Sequence, residues 1–445
     1  MEASGGKGAA LRGVPPGVRV FVPPEAASKR RLEEELLEVF TRWGFQEIVT
    51  PALDYYEPPA PGTFPAADDT FKLIDRETGG LLNLRADITP QVARIASTLL
   101  RHRPRPLRLC YVTNVFRHTQ SRGMVQQEFF QGGVELIGLD SLEADVEMIA
   151  IAQESLQASA VGPFRVTLGH TGFIAGVLEA VRLPPSLRAK VQEAVRKKDA
   201  SALEAFVARN APDARLGRVL LELPRLFGGP EVLEEARELV RNRRSRRALA
   251  ELSRVYRMLD LYGLTGPVSF DLSAVKDFQY YTGVVFEAFL ERFGYPVCSG
   301  GRYDQLLGRY GQDALGTGFA IDVGLLLLAL GEQGAGEAPA ADYLIIDSTR
   351  QKRGAIRLAR QLRARGFRVA RDIIRRDLEG SLAYARQMGI PRCLLLGQRG
   401  MRSREVRLVD LRTGAERSFD LSQSEQLLAS GELKAVALPS GAGEE

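Results

Sequence analysis

The chain has 445 residues, 45% of them hydrophobic and 26% charged. That composition excludes wholesale disorder, and the length excludes a single small module and asks for two or three domains. Sixty Lys and Arg against 55 Asp and Glu leave a net charge of +5, too slight to demand a nucleic-acid or anionic partner.

Taken in chain order, the opening MEASGGKGAA lacks an apolar signal core. Ser28 can then cap a helix whose Leu32, Leu36, Phe40 and Trp43 keep helical spacing up to Gly44, and FQEIVTPAL (45 to 53) reads as a strand. From about Phe71 to Gly138 the turn-bounded runs LLNL, LRLCYVTNVF and FFQGGVELIG read as strands, with a helix from about Thr89 to Leu100 between them. The pattern predicts a mainly antiparallel sheet with flanking helices. Residues 174 to 262 are rich in Leu, Ala, Glu and Arg at helical periodicity and read as a helical insertion; its RNRRSRR run, Arg241 to Arg247, reads first as a solvated helix face, with a nucleic-acid contact as the lesser reading. Strand signals return from Val268 to Leu330, at VSFDL, YYTGVVFEAF and CSGGRYDQLLGRYG. The core domain is therefore expected over 1 to 330, with GEQGAGEAPAA (331 to 341) as a linker. Over 342 to 445, strands DYLIIDS, FRVARD and CLLLG alternate with helices near Gln351 to Arg365 and Leu378 to Met388. Such alternation implies βαβ units, closed by the hairpin EVRLVDL-RTG-AERSFDL.

The longest apolar stretch, Leu315 to Leu330, is broken by Asp322 and several glycines, so a cytoplasmic chain without a membrane segment is expected. Cys110, Cys298 and Cys393 lie far apart, and His102, His118 and His170 never stand at zinc-ligand spacing. Neither a disulfide scaffold nor a metal site is expected, and no cofactor.

Polar groups concentrate in four segments: LRADITPQVAR (84 to 94), NVFRHTQSRGMVQQEFFQGGVE (114 to 135), VKDFQYYTGVVFE (275 to 287) and SGGRYDQLLG (299 to 308). Arg85, Asp87, Arg117, Gln131, Glu135, Tyr280 and Tyr281 together offer carboxylates for an ammonium group, guanidinium for a carboxylate, and amide or phenol groups for a polar side chain. A small zwitterion needs that set. Singly, each has a plainer explanation: a Tyr-Tyr pair usually packs in a core, Arg117 beside Phe116 is a surface charge, and Ser299-Gly300-Gly301 is a turn unaccompanied by any phosphate-loop pattern.

In combination these segments resemble the histidyl-tRNA synthetases and, more closely, their paralogues, the regulatory subunits of ATP phosphoribosyltransferase. FQEIVTP with Pro51 resembles the class II dimer-interface motif, LRADITPQVAR stands where the synthetases have LRPEGT, and YYTGVVFE and GGRYD are shared by both families. The departures favour the regulatory paralogue. Leu325 occupies the place of the arginine that clamps ATP phosphate, Thr119 that of the adenine-binding glutamate, Val125 and Gln127 those of two later arginines, and Lys276 that of the catalytic arginine. An ammonium lacks the planar fork that matches an acyl phosphate, so amino-acid activation is not expected.

The resemblance implies an α+β fold: a class II synthetase-like antiparallel sheet with helices and a helical insertion, then an α/β domain like the anticodon-binding domain. It implies a histidine pocket of Arg85, Asp87, Thr89, Arg117, Gln131, Glu135, Lys276, Tyr280 and Tyr281, reshaped by Asp87 in place of a glutamate and Phe130 in place of a histidine. The implied role is a non-catalytic, homodimeric subunit that joins the short-form ATP phosphoribosyltransferase, with L-histidine as feedback effector of the first step of histidine biosynthesis. A divergent histidyl-tRNA synthetase and a tRNA-binding module on an inactive synthetase core stay open as alternatives.

Overall fold

The computed structural model describes residues 13–58, 69–121, 124–181, 183–210, 213–273, 281–334, 339–374 and 376–430. The chain divides into two compact units, Met1–Gly334 and Ala335–Glu445.

In the first unit the strands are β1 (Gln46–Glu47), β2 (Leu53–Tyr55), β3 (Lys72–Ile74), β4 (Leu81–Leu84), β5 (Leu107–Ser121), β6 (Met124–Ile137), β7 (Phe164–His170), β8 (Phe227–Gly228), β9 (Val268–Asp271), β10 (Val284–Leu290), β11 (Pro296–Arg302) and β12 (Gly316–Asp322). Nine of them form one sheet in the order β1-β5-β6-β12-β11-β10-β7-β9-β8, and β2-β4-β3 form a small second sheet. Within the large sheet β1–β5 and β7–β9 pair in parallel and the other neighbours are antiparallel, as the pattern predicted.

The helices of this unit are α1 (Glu25–Arg42), α2 (Thr89–Ser97), α3 (Leu142–Ala158), α4 (Thr171–Val181), α5 (Pro185–Arg196), α6 (Ala200–Asn210), α7 (Ala214–Glu222), α8 (Glu231–Leu239), α9 (Arg243–Leu261) and α10 (Val323–Gly334). Helix α1 begins three residues before the expected Ser28 cap, because Glu25, Ala26 and Ala27 are good helix formers and Glu25 places negative charge in the first turn. At the other end α10 runs on through the first residues of the stretch read as a linker, past a non-helical Gly331; residues 335 to 338 of that stretch lie outside the described residues.

Strand alternation decides which side of the large sheet is dry. Val134, Phe319, Ile321, Cys298, Val284, Phe286 and Leu168 point to one face and merge with Leu36 and Phe40 of α1, Met148 of α3, Phe173 of α4, Leu252 of α9 and Leu326 of α10 in one core. Helix α3 is buried on nearly every side, with polar residues paired there: Asp145 with Arg302, Glu147 with Arg108 and Glu154 with Trp43. The opposite face carries the residues of alternate parity, among them Gln131, Glu135, Asp322, Ser299, Glu287 and Thr167. A smaller core covers one corner of that face, where Ile88 and, from α2, Val92 and Ala96 meet Leu109, Tyr111 and Tyr303.

The arginine run enters α9 through Asn242, whose side chain accepts from the Ser245 N–H at 2.7 Å. Arg244 pairs with Glu179, and Arg247 with Glu251 at 2.7 Å, so two of the run's five arginines meet a carboxylate on the helix surface.

The second unit holds β13 (Tyr343–Asp347), α11 (Arg353–Ala364), β14 (Val369–Arg371), α12 (Leu378–Gln387), β15 (Arg392–Leu396), β16 (Glu405–Asp410), β17 (Glu416–Asp420) and α13 (Ser424–Ala429). Its sheet order is β14-β13-β15-β16-β17, parallel across the first three strands and antiparallel across the last two. Leu358 and Leu362 of α11 fill one side of this sheet and Ala385 of α12 the other, which is the βαβ arrangement with its terminal hairpin.

Candidate functional site

Register brings the candidate residues together. On β6, Gln131, Gly133 and Glu135 face the side of the sheet opposite the main core; β12 sets Asp322, Ala320 and Gly318 opposite them, and β11 continues the row with Ser299 and Gly301. The glycines are required by close approach. A Cβ on Gly318 would collide with a carboxylate oxygen of Glu135, one on Gly133 with the Tyr111 hydroxyl, and one on Gly301 would stand 3.0 Å from Cδ1 of Tyr281. The segment expected as a turn, Ser299-Gly300-Gly301, is instead the interior of β11. There a side chain on Gly300 would strike Phe319 and Phe286 of the core.

Glu135 is the centre. It is 1% exposed; Oε1 accepts from the Thr89 hydroxyl at 2.6 Å, and Oε2 accepts from the Tyr303 hydroxyl. Burial pushes its carboxyl up to about 8, against the pull of both hydrogen bonds and with a further push from the Asp87 charge. Asp87 precedes α2, which starts at Thr89 with Pro90 in its first turn. Burial raises Asp87 too, while Arg117 and the Ile88 N–H hold it down. The guanidinium of Arg117, 9% exposed, lies 4.5 Å above the Phe129 ring. Burial lowers its affinity for the proton, and Asp87, Asp322 and Asp69 oppose that loss. Gln131, also 9% exposed, has a carboxamide oxygen without a hydrogen-bond partner among the described residues.

Asp87, Thr89, Arg117, Gln131, Glu135 and Tyr281 thus converge. Arg85 does not join them by a free fork: Nε donates to Asn114 O (2.7 Å), Nη1 to Thr50 O (2.7 Å), and Nη2 to Asn114 Oδ1 (2.8 Å) and to Thr113 Oγ1. Four of its donor hydrogens are committed to the protein, making it a strut that ties the segment before Asp87 to β5. Phe130 has the opposite parity to Gln131 and faces away, packed edge-on against Phe21 at 5.2 Å with the Lys29 ammonium 4.2 Å over its ring. It therefore does not reshape the pocket as expected. Lys276 and Tyr280 lie outside the described residues, as do the side chains of Thr119 and Val125.

Sequence reasoning missed three members. Tyr303, inside the GGRYD segment, is drawn in by its bond to Glu135; Tyr111, wholly buried, feels the charges of Glu135 and Asp87. Asp322 lies across from Gln131 and accepts the Leu325 N–H at 3.0 Å. Leu325 itself is packed against the core, an apolar contact at the position where the motif resemblance puts the phosphate-clamping arginine. Arg302 next door is another strut, bound to Asp145 (2.9 Å) and Ser141 O (2.8 Å). Further along the same face a cavity of about 500 Å³ opens among Thr167, Lys198, Phe227, Ser269, Glu287 and Phe289. Among the described residues, no group of three or more His, Cys, Asp or Glu is placed to hold a metal ion, and no helix is long and apolar enough to cross a membrane.

The histidyl-tRNA synthetase family model matches residues 17–326 and the anticodon binding domain model residues 343–430. The ATP phosphoribosyltransferase regulatory subunit of Geobacter sulfurreducens is 43% identical over 406 residues, 90% of this chain and 92% of that protein. The chain belongs to the ATP phosphoribosyltransferase regulatory subunit family. The regulatory subunit of Syntrophotalea carbinolica is 42% identical over 95% of this chain and 97% of its own length. Among solved structures, an ATP phosphoribosyltransferase regulatory subunit/histidyl-tRNA synthetase from Bacillus halodurans superposes with a TM-score of 0.77 at 33% identity, covering 85% of this chain and 97% of that one. The histidyl-tRNA synthetase of Nostoc sp. PCC 7120 shares the fold, with a TM-score of 0.78 over 95% of this chain and 100% of its own, at 20% identity. The regulatory-subunit family and the class II synthetase-like fold agree with the resemblance read from the motifs.

Proposed function

We propose that the chain is a regulatory subunit without catalysis of its own, that it assembles in the cytoplasm as a homodimer with a short-form ATP phosphoribosyltransferase catalytic subunit, and that it transmits feedback inhibition by L-histidine. Near-full-length identity to proteins named as that regulatory subunit supports the assembly. The ligand reading is carried by one observation: Asp87, beside the sheet, with Arg117, Gln131 and Glu135 on it, sets both charge signs and an unpartnered amide oxygen in one place. A zwitterion with a polar side chain answers all of these groups. Thr89, Tyr281, Lys276 and Tyr280 complete the proposed contacts; Arg85 serves by fixing the segment before Asp87.

Regulation is then a linkage. Histidine binds the inhibited assembly better than the active one, and a coupling of about 1–3 kcal/mol gives roughly 5–150-fold control. The test mixes the chain with a short-form catalytic subunit and follows phosphoribosyl-ATP formation with and without L-histidine, for the natural chain, Asp87→Ala and Tyr281→Phe. Stimulation of the catalytic subunit, with inhibition by histidine weakened in the variants, is the expected outcome. Inhibition untouched by both substitutions would move the effector site elsewhere. Absence of stimulation, together with histidine-dependent ATP–pyrophosphate exchange by the chain alone, would return the synthetase reading.

A further inference from the structure

The geometry points to Asp322 as the residue that sets the charge preference of this pocket: it takes up the field of Arg117, so that the pocket accepts ligands carrying a cationic hydrogen-bond donor and rejects phosphates. The inference rests on the reading that the patch around Glu135 is a ligand site.

Three observations support it. Asp322 and Gln131 are direct neighbours across β12 and β6 on the face opposite the main core. Gln131 is nine-tenths buried with its amide oxygen unpartnered among the described residues, so this pair offers acceptors and asks the ligand for donors. Arg117 is the guanidinium that acts on both Asp87 and Asp322, and Asp69 acts on it as well. Among the described residues, the Arg117 charge is thus shared by three carboxylates, and an arriving phosphate meets a field that they have already weakened. Asp322 is also held in place. Its Oδ1 accepts the Leu325 N–H at 3.0 Å at the start of α10, where the helix dipole favours a negative charge and keeps it pointed. Leu325 adds no cation to offset it.

Asp322→Asn keeps the shape and the acceptor for Leu325 N–H but removes the charge, so the fold is retained. Asp322→Glu keeps the charge. Isothermal titration of the full chain with L-histidine, with its carboxylate-free analogue L-histidinol and with ATP reads the pocket's charge preference. For charges a few ångströms apart at a partly buried site, the Asn variant is expected to shift the histidine-to-histidinol affinity ratio toward histidine by roughly ten- to a hundredfold and to gain measurable ATP binding. The Glu variant should do neither. An unchanged ratio in the Asn variant, with histidine still bound by the natural chain, overturns the inference and leaves the histidine reading standing. Failure of the natural chain to bind histidine or histidinol ends that reading instead, and the ATP arm then decides alone: gain of ATP binding in the Asn variant upholds the role of Asp322, and no gain refutes it.

Discussion

Replacing Glu135 by glutamine isolates a single titration in the centre of the sheet. A carboxyl held at about 8 instead of its ordinary 4.5 keeps its proton in the folded chain across a range in which the unfolded chain has released it. The folded state then binds more protons than the unfolded state, so stability falls as pH rises through that window. The sign is that of a raised group: its contribution is fully present below the unfolded value and is lost as pH passes the folded one. The whole shift corresponds to roughly 4–5 kcal/mol, of which about 3 kcal/mol lies between about pH 5.5 and 8. The chain has one tryptophan, Trp43, at the end of α1 in the first unit, where its indole N–H donates to Glu154 at 2.7 Å. Its fluorescence during urea unfolding therefore reports on the unit that holds Glu135. Asp87, Asp145 and Asp322 are also raised by burial, so the natural chain has further slope of the same sign. The difference between it and Glu135→Gln removes that background. That difference should shift in favour of the variant by about 3 kcal/mol from about pH 5.5 to 8. Parallel stability curves for the two proteins would show that Glu135 titrates normally and that its burial is relieved in solution.

Because a ligand ammonium beside Asp87 and Glu135 favours their ionised forms, binding of L-histidine near pH 7 should release protons, seen as a calorimetric enthalpy that varies with the ionisation enthalpy of the buffer; Glu135→Gln should abolish most of that variation. Gly318→Ala drives a methyl group into the Glu135 carboxylate; it should cost about 2–4 kcal/mol in urea unfolding and weaken histidine binding at once. Arg302→Met leaves Asp145 buried without its partner, for an expected loss of about 3–5 kcal/mol by the same assay. Arg85→Lys replaces a fork committed to four acceptors by a single ammonium; a stability loss of about 1–3 kcal/mol is expected.

Local pattern in the sequence determined the elements and the class of the fold. Helical periodicity located α1 and the helices between β7 and β9, alternation located the long strands, and the change of period after residue 341 marked the βαβ unit. The motif words carried the family, because LRADITPQVAR, YYTGVVFE and GGRYD are specific in combination. Side-chain destinations were not legible, since they depend on which strands become neighbours and in what register. Parity along β6 sends Gln131 and Glu135 to the pocket and Phe130 away from it, and only the pairing of β6 with β12 puts Asp322 across from Gln131. Arg85 reads in sequence as a ligand for a carboxylate, yet the folding of its segment against β5 surrounds it with protein acceptors first. Tyr303, from far along the chain, meets Glu135 because β11 lies one strand beyond β12. A sequence states which chemical groups are present; burial and register decide which of them remain unsatisfied and therefore available to a ligand.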